Sequence, residues 1–214
     1  MSTEQKQISY FEEIKRKCVH LSSLWMVVAT LLLGAKQWIS CLLFLALLLL
    51  TLVSEHDYAN GGKYLGRLYG KLFGKMLRNE VKPGQWIVSG GAPVLAAALL
   101  VNVIFPPLIA AGSLAVMLTG DAAAALIGRK FGKHKIVNGK SLEGGIGFVL
   151  VGFGALSILW WINGCAPVWY LWGIIGVILA AVVELFQKQL KVDDNFTIPL
   201  SVGIVLLLCT YFFR

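Results

Sequence analysis

The sequence predicts an all-α, polytopic membrane bundle of about seven transmembrane helices with a cytoplasmic N-terminus, and three observations predict it. Of 214 residues, 57% are hydrophobic and only 14% charged, with a mean hydropathy of +0.76. That leaves too little polar surface for a soluble domain of this size. Apolar runs near the roughly 20 residues that cross a hydrocarbon core recur along the whole chain. Of the 19 Lys and Arg residues, 17 lie in the N-terminal tail and alternate connections between those runs. Residues 1–214 therefore read as a single integral membrane domain.

In order, the spans are expected at 19–35, 38–54, 86–105, 106–127, 145–163, 167–186 and 197–213. The polar stretch before the first has no pattern of a cleavable signal. Pro106 and Pro107 make a tight turn between the third and fourth. Seven spans put the two ends on opposite sides, and the charges decide which is which. The N-terminal tail and segments 55–85, 128–144 and 187–196 hold 17 of the 19 Lys and Arg residues; the other side has Lys36 and Arg214. The positive-inside rule makes the basic side cytoplasmic. All eleven acidic residues lie on or near that side, and the outer connections are too short to hold a site. Chemistry is expected at the cytoplasmic face, of the plasma membrane if the source is bacterial or archaeal. Cys18, Cys41, Cys165 and Cys209 are scattered at no metal-binding spacing and read as packing residues.

The cytoplasmic segment 55–85 carries a four-residue repeat, with Gly62, Gly66, Gly70 and Gly74 alternating with Lys63, Arg67, Lys71 and Lys75. As a helix it has one glycine stripe, one basic stripe and two apolar ones. It reads as an amphipathic helix in the headgroup layer, its cations near anionic lipid. Two alternatives are that its charges, with Arg78 and Glu80, help bind a nucleotide or lipid headgroup, or that the glycines are a helix-packing face.

Asp121 poses the functional question, because a carboxylate in a membrane span is expensive and needs compensation. It lies about two turns inside the cytoplasmic end of the fourth span, with Gly128 on the same face. Glu184 ends the sixth span, Asp193, Asp194 and Asn195 open the seventh, and Arg16 and His20 begin the first. These groups can converge on one interfacial pocket. Beyond Asp121, Gly128, Arg129, Lys130, Gly132 and Lys133 are expected to form a loop offering cations and backbone N–H groups, followed by Lys140, Ser141 and Glu143. Cations with backbone amides suit polyphosphate, and carboxylates beside them suit magnesium. The structural alternative for Asp121 is an ion pair with a nearby Lys or Arg. The Gly139-Lys140-Ser141 run is not a P-loop, because His134 stands where the first glycine belongs and no strand precedes it.

At these residues the sequence resembles the membrane-bound, CTP-dependent lipid-alcohol kinases, the group of dolichol kinase, phytol kinase and CTP-dependent diacylglycerol kinase. Three stretches carry the resemblance in order: Glu13 to His20 with Arg16 and Lys17; Gly120 and Asp121 through Gly128 and Arg129 to Lys140, Ser141, Glu143 and Gly144; and Glu184 with Val192 to Pro199. The chain is similar to a compact member limited to the catalytic portion. The resemblance implies magnesium-dependent transfer of the terminal phosphate of CTP to the hydroxyl of a lipid alcohol of polyprenol, phytol or diacylglycerol type. It implies no nucleic-acid partner. The choice of cytosine comes from the resemblance alone.

Under it, Asp121 is the first magnesium ligand, with Asp193, Asp194 or Glu184 contributing. Arg129, Lys130, Lys133 and Lys140 neutralise phosphates, Gly128 and Gly132 admit them, and Arg16, Lys17 and His20 bind the nucleotide or the lipid end. Ser141, Glu143 and Asn195 belong to the same nucleotide-binding motifs. One carboxylate orients or deprotonates the lipid hydroxyl. The central stretch is also similar to phosphatidate cytidylyltransferases, but their C-terminal Gly-His-Gly-Gly signature is replaced here by residues 193–199. A cytidylyltransferase-like enzyme making a CDP-lipid is the second reading. A membrane transporter is the third, and it predicts midplane charges and an internal repeat that the sequence lacks.

Overall fold

A computed structural model describes residues 10–62, 65–73 and 91–212. It is a helical membrane bundle: α1 (Tyr10–Ser22), α2 (Trp25–Leu32), a 3-10 turn (Gly34–Lys36), α3 (Gln37–Ala59), α4 (Leu65–Phe73), α5 (Gly91–Ile104), α6 (Pro107–Phe131), α7 (Leu142–Ile162), α8 (Pro167–Leu185), α9 (Gln187–Leu190) and α10 (Asp194–Phe212). Lys63, Gly74 and Lys75 of the glycine repeat, and Arg78 and Glu80 beyond it, lie outside the described residues.

Five helices among the described residues are long and apolar enough to cross a membrane: α3 with its preceding 3-10 turn, α6, α7, α8 and α10. They coincide with the second, fourth, fifth, sixth and seventh predicted spans. The expected count of seven is not reached by this measure, for two local reasons. The third predicted span is represented by α5, 14 residues long, and 86–90 lie outside the described residues. The first is divided between the end of α1 and α2. Around Ser23 and Leu24 the backbone bonds tighten from i→i+4 to i→i+3, as in Ser23 N–H to His20 O and Leu24 N–H to Leu21 O. Neither half alone has the length of a span.

α6 occupies the centre. From Ile109 to Leu118 every residue is buried, whichever way it points. A helix apolar on all sides belongs inside a bundle. α6, α7, α8 and α10 close a four-membered ring, each packed on the next, while α5, α2 and α1 also lean on α6 and α3 packs outside on α5. Small residues set the closest approach. A Cβ on Gly144 of α7 would come within 2.9 Å of the Ala124 carbonyl oxygen of α6, and one on Gly120 within 3.0 Å of the Phe148 ring.

α4 is held to α3 by its own sequence. The Asp57 carboxylate accepts the Gly66 N–H at 2.7 Å, and a Cβ on Gly66 would collide with the Tyr58 backbone. Tyr69 is buried beside Tyr58 and donates to Glu55 at 3.1 Å. The glycine face is thus a packing face. Leu65, Leu68 and Leu72 are exposed on a second face, and Arg67 and Lys71 on a third.

Candidate active site

The charged ends of α1, α6, α7, α8 and α10 meet at one end of the bundle, and the site begins with the geometry of α1. Glu13, Lys17 and His20 fall on one helix face, at i, i+4 and i+7. Glu13 and Lys17 are buried, while Phe11, Cys18 and Val19 on other faces are exposed. The amphipathic pattern is inverted, with its charges turned inward. They meet α6: Arg129 comes within 3.6 Å of Glu13, while Lys17 and His20 approach Asp121. As residue numbers rise on α1 they fall on α6, so the two helices run antiparallel.

The Lys17 ammonium donates to Asp121 Oδ2 at 2.5 Å, and His20 Nε2 lies 3.3 Å from the same oxygen. This pair compensates the charge inside the span. Desolvating two ions costs several kcal/mol each even after relaxation, so an intramembrane carboxylate persists only with such a partner. A second pair lies across the site. Lys140 donates at 2.5 Å to both the side-chain Oε1 and the backbone carbonyl of Glu184. Asp194 opens α10. The charges of Asp121, Lys17 and Lys140 act on both Glu184 and Asp194. Asp194, the two ammonium–carboxylate pairs and His20 therefore share one electrostatic neighbourhood around Asp121.

Lys140 reaches Glu184 because the α6–α7 connection is a tight hairpin. Asn138 and Gly139 have φ of +57° and +79°, and the Lys140 N–H returns to the Val137 carbonyl at 2.9 Å. Two successive positive φ values make the turn type that Asn-Gly favours. The Asn138 amide donates to the Leu185 carbonyl at 2.8 Å and to Gln189 at 2.7 Å. The hairpin is thereby anchored on the end of α8. Neither Asn138 nor Glu13 was expected among the site residues. The Asn-Gly dipeptide and the one-sided spacing of Glu13, Lys17 and His20 were the signals available.

Other expected site residues have structural employment. The loop expected from Gly128 begins only at Gly132, because α6 continues to Phe131. The N–H groups of residues 128–131 are engaged in the helix ladder, and Arg129 and Lys130 sit favourably at its negative end. Gly132 lets Ser141 come close: a Cβ there would lie 2.4 Å from Ser141 Oγ. Gly128 faces the same hydroxyl. Ser141 caps α7, its Oγ accepting the Gly144 N–H at 3.2 Å. Glu143 bonds His134 at 2.7 Å. Lys130 lies over the Phe131 ring, and Lys133 is exposed. Asp193 caps α10, accepting the Asn195 N–H at 2.9 Å and its side-chain amide at 2.6 Å.

The chemistry of the donor set bears on magnesium. Among the described residues no three His, Cys, Asp or Glu side chains form a metal-binding group. Magnesium asks less when it arrives with phosphate, taking one or two carboxylates plus phosphate oxygens and water. Asp121 and Asp194, within electrostatic reach of each other, fit that mode. Thr197 Oγ1, one turn beyond Asp194, is buried without a hydrogen-bond partner among the described residues, and His20 Nε2 has the 3.3 Å approach to Asp121.

No family model matches the chain, and no solved structure matches it. An uncharacterized protein of Rickettsia prowazekii is 30% identical over 191 residues, covering 88% of this chain and 90% of that protein. An uncharacterized protein of Methanocaldococcus jannaschii is 26% identical over 197 residues, 91% of this chain and 92% of that one. CTP-dependent diacylglycerol kinase 1 of Schizosaccharomyces pombe is 30% identical over 103 residues, 47% of this chain and 46% of the kinase. The chain belongs to the family of the Rickettsia protein.

Proposed function

We propose that the chain is a membrane lipid kinase that transfers the terminal phosphate of CTP to the hydroxyl of a lipid alcohol of polyprenol, phytol or diacylglycerol type, at the cytoplasmic face. The observation that carries this reading is the gathering of Asp121, Glu184 and Asp194 with Lys17 and Lys140 at one end of a membrane bundle. The partial similarity to a CTP-dependent diacylglycerol kinase supports it, as do the three motif resemblances.

Phosphoryl transfer asks a protein mainly for positioning and charge neutralisation. The lipid oxygen bonds to the terminal phosphorus. The bond from that phosphorus to the bridging oxygen breaks, and CDP leaves with the electron pair. The hydroxyl proton passes to a carboxylate of the cluster. Asp121 and Asp194 would hold the magnesium that accompanies a triphosphate, which would supply further charge neutralisation at the phosphate oxygens. Lys17 and Lys140 hold Asp121 and Glu184 in place, and the exposed Lys130 and Lys133 draw the nucleotide from water. Thr197 Oγ1 gains a partner when a polar substrate group enters. The site's place at the end of the spans lets the lipid chain stay in the bilayer while the nucleotide comes from solution.

The test is an assay of the purified protein in lipid-containing micelles with magnesium, CTP or ATP, and a panel of phytol, farnesol, polyprenol, diacylglycerol and phosphatidic acid. CDP formed with one alcohol is the expected result and names the acceptor class. Pyrophosphate formed with phosphatidic acid overturns the kinase in favour of a cytidylyltransferase. Silence with every acceptor counts against an enzyme.

A further inference from the structure

Glu13 is buried where phosphoryl transfer itself does not need a carboxylate. Its side chain is 3% exposed and lies between two guanidinium groups from different helices. Arg16, one turn along α1, binds Oε1, and Arg129, in the last turn of α6, approaches Oε2 at 3.6 Å. Like charges repel, so bringing two arginines together requires an anion between them. Joining α1 to α6 needs only one.

The exposures divide the roles. Arg16 and Arg129 are 32% and 31% exposed, within reach of water, while the carboxylate holding them is not. Guanidinium forks match phosphate oxygens in pairs, and fixing both forks beforehand removes part of the ordering cost of binding. Arg129 is eight residues past Asp121 on α6, about 12 Å of helix toward the bundle end. A polyphosphate whose terminal group reaches Asp121 would leave its other phosphates on that side.

We propose that Arg16 and Arg129 form a clamp for the non-transferred phosphates of the nucleotide, with Glu13 as the positioning residue that holds the two guanidiniums side by side. The proposal rests on the phosphoryl-transfer reading and deepens it by pairing the two arginines through Glu13.

The test uses the full chain in lipid micelles. Calorimetry measures binding of inorganic tripolyphosphate, with neither nucleotide nor lipid acceptor present, and kinetics measure the KM and kcat for CTP. Glu13→Gln is expected to weaken tripolyphosphate about tenfold and to raise the CTP KM by a similar factor with kcat within about twofold. Arg16→Lys and Arg129→Lys, which keep the charge and lose the fork, are expected to weaken binding severalfold and to add little on top of Glu13→Gln. If Glu13→Gln does not fold, the two Lys variants carry the test. Wild-type tripolyphosphate affinity in the variants that fold, with only a lower melting temperature, overturns the clamp and leaves Glu13 a tie between helices. Binding that depends on Glu13 in a protein that phosphorylates no lipid supports the clamp and overturns the kinase. A wild-type protein that turns over CTP but does not bind tripolyphosphate overturns the clamp alone.

Discussion

At the scale of the residue, Asp121 has two separable tasks. It neutralises Lys17, and it faces the substrate in the proposed reaction. Removing one member of a buried pair leaves the other charge stranded, at a typical cost of about 3–5 kcal/mol. Asp121→Asn is therefore expected to abolish CTP-dependent lipid phosphorylation and to lower thermal stability. Lys17→Met combined with Asp121→Asn is expected to recover stability and no turnover. Activity like that of the wild type in Asp121→Asn, measured as CDP release, would remove Asp121 from the chemistry. The carboxylate was legible in the sequence because an acid in an alanine-rich span stands out. Its partner was not, because Lys17 is 104 residues away and only the antiparallel return of α1 along α6 joins them.

At the scale of the element, boundaries and turns were less legible than helices. Gly128 looked like the start of a loop, but Arg129 and Lys130 are good helix formers placed where the helix dipole favours cations, and α6 runs on to Phe131. The hairpin after it is governed by Asn138 and Gly139. A side chain at the positive φ of Gly139 costs about 1–2 kcal/mol, so Gly139→Ala is expected to destabilise by that amount in a denaturation series. It should also loosen Lys140 from Glu184 and lower activity. Asn tolerates the same region, so Gly139→Asn is the milder change. On α7, a methyl on Gly144 meets the backbone of α6, and Gly144→Ala is expected to cost about 1–3 kcal/mol as overpacking. For α4, exchanging Arg67 and Lys71 for Glu is expected to reduce activity on vesicles rich in anionic lipid and to change little on neutral vesicles. Total loss on both would move α4 into the active site.

At the scale of the molecule, the helical class and the membrane setting were legible because apolar run length is a strong signal. The packing order was not, since residues facing lipid and residues facing other helices are both apolar; Leu150 is exposed and Leu156 wholly buried on the same helix. Orientation rests on charge and has its own test. A cysteine replacing Lys36 should react with an impermeant maleimide from outside intact cells, and one replacing Lys188 only after the membrane is opened. The reverse pattern would invert the site.

The central position of α6 also bears on how the protein is made. It is the least hydropathic of the five long helices and the most enclosed. During synthesis it must enter the bilayer before α7, α8 and α10 exist to surround it. Its Asp121 and small residues make it a poor lodger in lipid alone, so it depends on α1, already made, to bring Lys17 alongside. The N-terminal helix thus acts as an early companion for the segment that will later be innermost. A fusion carrying residues 106–131 by themselves should insert poorly in a glycosylation-mapping assay, and one carrying residues 1–131 should insert well.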